Sequence, residues 1–212
     1  LSDFHPDSVS HLVNHSESSV LFVDREIWDK LEKGAMPLLK LVVNVDDFAL
    51  IYASDAKVKA AFEGMDKAYA EKYPQGVDKD QFSLPKDNLD ELAVINYTSG
   101  TTSAPKGVML TYGNLSSSIL FGHENIPVMP DDKIVSMLPM AHIYGMVYEF
   151  LYPLAGGCTV YYLGKTPAPS LLLKAMHDVQ PYLVCTVPLV MEKVYKSSLK
   201  PVLDKWYMKL LT

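Results

Sequence analysis

The sequence predicts an α/β fold in which parallel sheets are flanked by helices. Short apolar runs recur along the chain, each closed by Asp, Pro or a hydroxyl residue, and segments of helical periodicity separate them. The composition agrees, because 49% hydrophobic and 21% charged residues over 212 positions can build a real core in one large or two small lobes.

Strands are expected at 19–24 ("SVLFVD"), 38–47 ("LLKLVVNVDD"), 92–98 ("LAVINYT"), 133–139 ("KIVSMLP") and 182–188 ("YLVCTVP"). Runs so short and so continuously apolar read as strands buried on both faces. Helices are expected at 8–16, 25–35, 55–72, 111–124, 142–155, 168–179 and 188–210, with Pro169 and Ser170 giving an opening signal before "LLLKAMHDV". The alternation of the two types favours a parallel sheet covered by helices. The polar stretch 73–91 reads as an exposed loop, and "NIPVMPDD" (125–132) is the candidate boundary between a first lobe, 1–126, and part of a second, 127–212.

A formal net charge of −6 without a run of five like charges excludes the basic footprint of a nucleic-acid binder. Cys158 and Cys185 lie in apolar surroundings and lack CxxC or metal-ligand spacing, so a reduced, cytoplasmic protein is the simplest account. No run approaches the ~20 consecutive apolar residues of a membrane span. The chain starts at Leu1 with no signal-peptide pattern, as a piece of a longer protein would.

The chemistry concentrates in "YTSGTTSAPKG" (97–107), which follows an expected strand. Thr98, Ser99, Thr101, Thr102 and Ser103 supply hydroxyl donors. Gly100 and Gly107 let backbone N–H groups approach an anion, and Lys106 can neutralise phosphate charge. A flexible surface turn is the bland alternative. The order differs from the P-loop GxxxxGK[ST], since Pro105 precedes Lys106 and Gly107 with Val108 follows it, so neither the second glycine nor the magnesium-binding hydroxyl is in place.

The stretch "YTSGTTSAPKGV" resembles the signature YTSGTTGxPKGV of the adenylate-forming superfamily, which includes acyl-CoA synthetases, luciferases and peptide-synthetase adenylation domains. It departs only at Ser103. The resemblance implies ATP as substrate with Mg2+, phosphate contact by Thr98, Ser99, Gly100, Thr101, Thr102, Ser103, Lys106 and Gly107, and Thr98 on the metal side. "LPMAHIYGM" (138–146) is similar to the family's next motif, LPxxHxxG, which implies that His142 lies beside the acyl-adenylate and that Met146 walls or gates the acyl pocket. Lys106 and His142 are thus the expected catalytic residues. "VPLVMEKVYKSSLKPVLDK" (187–205) resembles a segment of long-chain acyl-CoA synthetases, although many relatives carry Arg where Leu189 stands.

The resemblance therefore implies the two lobes of an acyl-CoA synthetase N-terminal domain, from a long-chain fatty-acid–CoA ligase that uses a fatty acid, ATP and coenzyme A. The family's later motifs are missing, so the 212 residues alone are expected to be inactive and to need the C-terminal remainder of the enzyme. A non-catalytic nucleotide-binding module, or an enzyme adenylating another carboxylic acid, stays open. Peripheral membrane contact would suit a fatty-acid enzyme, but no basic amphipathic helix demonstrates it.

Outside the motifs, His11 and His15 share a helix face at i and i+4 and read as solvated. Asp46, Asp47, Asp131 and Asp132 read as strand exits and turns, and Glu149 as an ordinary helix residue. Tyr148, Phe150, Tyr152, Tyr161 and Tyr162 could line an acyl tunnel or simply pack a core.

Overall fold

Aspartate has two local roles in the first part of the chain, stopping a strand and opening a helix. Strand β1 (Val20–Val23) ends at Asp24, whose Oδ1 accepts the Glu26 N–H at 2.7 Å and caps α2 (Arg25–Trp28). The computed structural model describes residues 5–78, 80, 86, 88–98, 105–164 and 168–204. It divides into one unit of Leu1–Asp87 with Tyr97–Gly107 and another of Asn88–Asn96 with Val108–Thr212.

The first unit contains α1 (Pro6–His15) and a sheet in the order β1-β2-β3, with β2 (Leu41–Asn44) central. β1 runs parallel to β2, from Val20 opposite Leu41 to Val23 opposite Asn44. β3 (Leu50–Ala53) returns antiparallel, which the sequence does not announce. The reversal follows from Asp47, whose Oδ1 accepts Asn44 Nδ2 at 2.7 Å and the Ala49 N–H at 2.9 Å, with Phe48 at φ 56°. A turn that tight can only join antiparallel neighbours. Asp55 then accepts the Lys57 and Val58 N–H groups at 2.8 and 2.9 Å and opens α3 (Ala56–Glu63), which Gly64 separates from α4 (Met65–Lys72). These bonds, that from Val58 foremost, hold the Asp55 carboxyl below its usual range. Trp28, Leu31, Met36, Leu39 and Val42 form the core with Val13 and Val23.

β4 (Leu92–Thr98) pairs with β5 (Lys106–Thr111) in a two-stranded sheet. Because β4 has only that strand beside it among the described residues, its interior is half-buried instead of enclosed on both faces. β5 is followed directly by α5 (Tyr112–Asn125), opened by a capping box in which Asn114 N–H reaches Thr111 Oγ1 at 3.2 Å and Thr111 N–H reaches Asn114 Oδ1 at 3.0 Å.

The second unit carries the fully parallel sheet, in the order β7-β6-β8. β6 (Lys133–Ser136) is central, with Ile134 and Val135 both 0% exposed; β7 is Thr159–Tyr162 and β8 Leu183–Val184. Parallel neighbours need crossovers. A helical run supplies the first, comprising α6 (Ile143–Gly145), a π-helical segment Met146–Leu151 and α7 (Tyr152–Ala155). α8 (Pro169–Val179) supplies the second, and α9 (Pro188–Val194), a π-helical segment Tyr195–Leu199 and α10 (Lys200–Leu203) follow β8. Each π-helical segment is followed two residues later by proline, Pro153 or Pro201. Proline lacks the N–H and crowds the carbonyl four residues back, so the turn before it widens.

Among the described residues no helix is long and apolar enough to cross a membrane. Both cysteines are free; burial raises the Cys158 thiol, and burial reinforced by Glu149 pushes buried Cys185 up to about 11.

Two measurements test this architecture. Ile134→Ala is expected to lower the unfolding free energy by about 2–5 kcal/mol in denaturant titration, since the central strand cannot close the cavity. At pH 8, iodoacetamide should modify half-buried Cys158 well before Cys185, read by peptide mass mapping, because a thiol titrating near 11 is almost wholly protonated there.

Candidate functional site

Of the stretch 97–107, Tyr97 and Thr98 and then Pro105 to Gly107 are among the described residues. Ser99, Gly100, Thr101, Thr102 and Ser103 lie outside the described residues. Thr98 ends β4 and Lys106 begins β5, so strand pairing brings these residues and Gly107 to one sheet. Thr98 and Lys106 are exposed. Lys106 makes no ion pair with a described residue, leaving its ammonium available to an anion. On β4, Tyr97 Oη and His15 Nδ1 are 2.7 Å apart, so exposed His15 also has a partner at the edge of the motif.

The second motif forms a tight corner after β6. The His142 N–H donates to the Pro139 carbonyl at 3.0 Å, and the His142 carbonyl accepts from Met146 N–H at 3.0 Å. His142 is the exposed residue preceding α6, and Met146 opens the π-helical segment half-buried. Gly145 is required here, since a Cβ would stand 2.8 Å from the Pro139 carbonyl oxygen. Asn96 Nδ2 donates to the Ala141 carbonyl at 2.9 Å and holds the corner's far end.

Behind the same helical run is a cavity of about 400 Å3, within the size range of small-molecule pockets. Tyr144, Tyr148 and Tyr152 line it at successive four-residue steps, facing Cys185 and Thr186 just past β8. Their rings pack in series, the first pair tilted and the second edge to face, with centroids 5.3 and 6.2 Å apart. Tyr152 is anchored by its hydroxyl, which donates to the Ile126 carbonyl. Thr186 Oγ1 is buried without a described partner, a hydroxyl in an otherwise apolar lining. The five aromatic residues picked out by sequence therefore separate: Tyr148 and Tyr152 line this cavity, Tyr162 lines a second cleft of about 550 Å3 beside Leu138 and Pro139, and Phe150 and Tyr161 line neither.

Sequence reasoning missed Glu149. Far from being an ordinary helix residue, it is 0% exposed, and its Oε2 accepts from Ser136 Oγ at 3.0 Å, Met137 N–H at 3.0 Å and Leu138 N–H at 2.8 Å. Burial raises its carboxyl above the usual range against the opposing pull of these bonds. The available signal was a lone charge inside the apolar run "IYGMVYEFLYPLAG".

The described residues contain no group of three or more His, Cys, Asp or Glu side chains able to hold a metal. Thr98 offers an exposed hydroxyl at the end of β4, a single oxygen ligand of the kind a hydrated magnesium ion takes.

Residues 2–208 match the family of AMP-binding enzymes. Long chain acyl-CoA synthetase 4 of Arabidopsis thaliana is 28% identical over 208 residues, covering 96% of this chain and 31% of that protein. Long-chain-fatty-acid–CoA ligase 1 of Homo sapiens is 29% identical over 199 residues, covering 89% and 27%. The chain thus spans about a third or less of the length of these relatives. Among solved structures, ATP-bound MatB from Rhodopseudomonas palustris superposes with a TM-score of 0.68 at 20% identity, over 93% of this chain and 35% of that one. O-succinylbenzoate coenzyme A synthetase (MenE) from Bacillus subtilis, in complex with AMP, gives 0.65 at 19% identity, over 93% and 44%. At such identities the structures establish a shared α/β fold, while the family match over nearly every residue makes the chain a member of the AMP-binding, adenylate-forming enzymes.

Proposed function

We propose that this chain is part of an ATP-dependent long-chain fatty-acid–CoA ligase. The observation that carries the reading is the tyrosine-lined apolar cavity that begins two residues after His142, in a chain similar to long-chain acyl-CoA synthetases. An aliphatic acid needs such a dry lining, and its polar end needs the few hydrogen-bonding groups near the corner.

In the proposed reaction a fatty carboxylate oxygen attacks the α-phosphorus of ATP. The bond from that phosphorus to the bridging oxygen breaks, and pyrophosphate leaves with the electron pair. The thiol of coenzyme A then attacks the acyl carbonyl, its proton passes to solvent, and AMP departs. Catalysis here is mostly positioning and charge neutralisation. Lys106, with the hydroxyl and backbone donors of Thr98, Ser99, Gly100, Thr101, Thr102, Ser103 and Gly107, holds the phosphates. Thr98 would supply a hydroxyl ligand to Mg2+, which when bound would screen the phosphate charge. His142 orients the acyl phosphate group, and Met146 walls the acyl path.

In this reading the 212 residues, which span about a third or less of the relatives' length, need the rest of the enzyme to complete the cycle. Free Cys158 and Cys185 are in keeping with a cytoplasmic protein.

The test uses the complete encoded protein with palmitate, MgATP and coenzyme A, following pyrophosphate release and acyl-CoA formation. Lys106→Ala and Thr98→Ala should each lower kcat/KM, the lysine change by on the order of 100-fold. A folded protein that binds ATP yet makes no adenylate from palmitate or a panel of other carboxylic acids would instead be a nucleotide-binding module. Adenylate from another acid only would keep the chemistry and discard the long-chain assignment.

A further inference from the structure

We infer that Glu149 is a positioning residue that fixes the Ser136–His142 corner through the backbone and so sets where the His142 imidazole is presented. This rests on the ligase reading above.

The N–H groups that need an acceptor lie just past the end of a strand. β6 pairs with β7 as far as Ser136 opposite Tyr162 and with β8 only as far as Val135 opposite Val184, so Met137 and Leu138 lie beyond both ladders. Met137 is buried, and a buried N–H without an acceptor is costly. Glu149 reaches back thirteen residues and gathers Ser136 Oγ and both N–H groups on a single oxygen. The chain is thereby committed to its path before Pro139. Four residues after Leu138 comes His142, and the short interval is itself tied by the His142–Pro139 bond, by Asn96 on Ala141 and by the close approach of Gly145 to Pro139. A displacement at Leu138 is therefore passed to His142, with little slack to absorb it.

A carboxyl group is costly to bury at this place. Oε1 is buried with no described partner, and no described cation pairs with the side chain. A buried acid held in that way is expensive relative to a neutral side chain. What the group provides is one acceptor oxygen, on a helix, able to take three donors converging from the strand end. Its helical placement also links the corner to the tyrosine-lined cavity, since Glu149 follows Tyr148 and precedes Tyr152 by three residues. The same short helical run thus carries the cavity wall and the support of the histidine corner.

Glu149→Gln retains a carbonyl oxygen in the same place, whereas Glu149→Leu removes the acceptor at similar volume. In the complete enzyme, Glu149→Leu should lower kcat for pyrophosphate release by about tenfold or more, as small misplacements near reacting groups do, with the KM for ATP unchanged within about twofold because the corner does not hold the phosphates. Glu149→Gln should recover most of that loss. A folded Glu149→Leu enzyme with parental kcat, or a Glu149→Gln enzyme as slow as Glu149→Leu, would overturn the inference. Should Glu149→Leu fail to fold, Glu149→Asp carries the test: its shorter reach should lower kcat with ATP binding intact, and parental kcat would again overturn the role. The imidazole resonances of His142, assigned through His142→Gln in the unliganded enzyme, should shift in Glu149→Asp and stay in place in Glu149→Gln. That spectroscopic pattern requires no turnover. An enzyme that makes no adenylate but shows it has lost the ligase reading and kept the positioning role; unchanged His142 resonances in Glu149→Asp remove the role whatever the activity.

Discussion

Backbone N–H groups must find acceptors wherever a strand ends or a helix begins, and much of this structure follows from how the chain meets that demand. At the start of α2 and α3 the acceptors are half-buried Asp24 and exposed Asp55, side chains immediately before their helices. At α5 the acceptor is Thr111, in exchange with Asn114. At the end of β6 the neighbouring sequence offers nothing suitable, and the acceptor comes from the next helical run as the carboxyl of Glu149. Asp24, Asp55 and Thr111 serve helices that begin at the next residue, whereas Glu149 comes from thirteen residues away to sit under the corner that presents His142.

The same helical run bears a second constraint. Pro153 cannot donate to the carbonyl four residues before it, which is that of Glu149 itself. The preceding turns widen into the π-helical segment Met146–Leu151, and this stretch carries Met146, Tyr148 and Glu149. π-helical turns redirect side chains that a regular helix would rotate elsewhere, and they are frequent at functional sites. Pro201 follows the segment Tyr195–Leu199 in the same relation, so the effect has a covalent cause recurring within one chain.

The alternation of apolar runs and helical periodicity made the α/β architecture legible, and the strands around Val20–Val23, Leu41–Asn44, Lys133–Ser136 and Leu183–Val184 stand inside the runs that announced them. What stayed hidden depends on tertiary pairing. β3 is concealed because Asp47 reverses the chain inside what reads as a strand and its polar exit. β5 begins at the Lys106–Gly107 pair, residue types that read as a loop. β7, "TVYY", is four residues long and half-polar, too short for a period to declare itself. The motifs located Thr98, Lys106 and His142, because each motif is contiguous in sequence. Glu149 escaped because a single charge in a helix ordinarily marks the solvent face, and only the fold reveals that the strand end lies there instead.

The chemistry proposed for this chain joins a highly charged phosphate ester to an aliphatic acid, and these reactants have opposite solvation needs. The described motif residues of the first unit, Thr98 and Lys106, are exposed at strand ends, where water solvates them until an anion replaces it. The second unit instead carries an apolar cavity walled by tyrosines whose buried polar atoms are few: the Tyr152 hydroxyl already committed to Ile126, the Cys185 thiol held protonated by burial, and the Thr186 hydroxyl without a described partner. In such a lining a misplaced polar end would forfeit its hydrogen bonds, so the cavity favours an aliphatic tail over the carboxyl that leads it. In the proposed reaction, desolvation would then orient the acid, tail inward and carboxylate outward, before any specific contact is made.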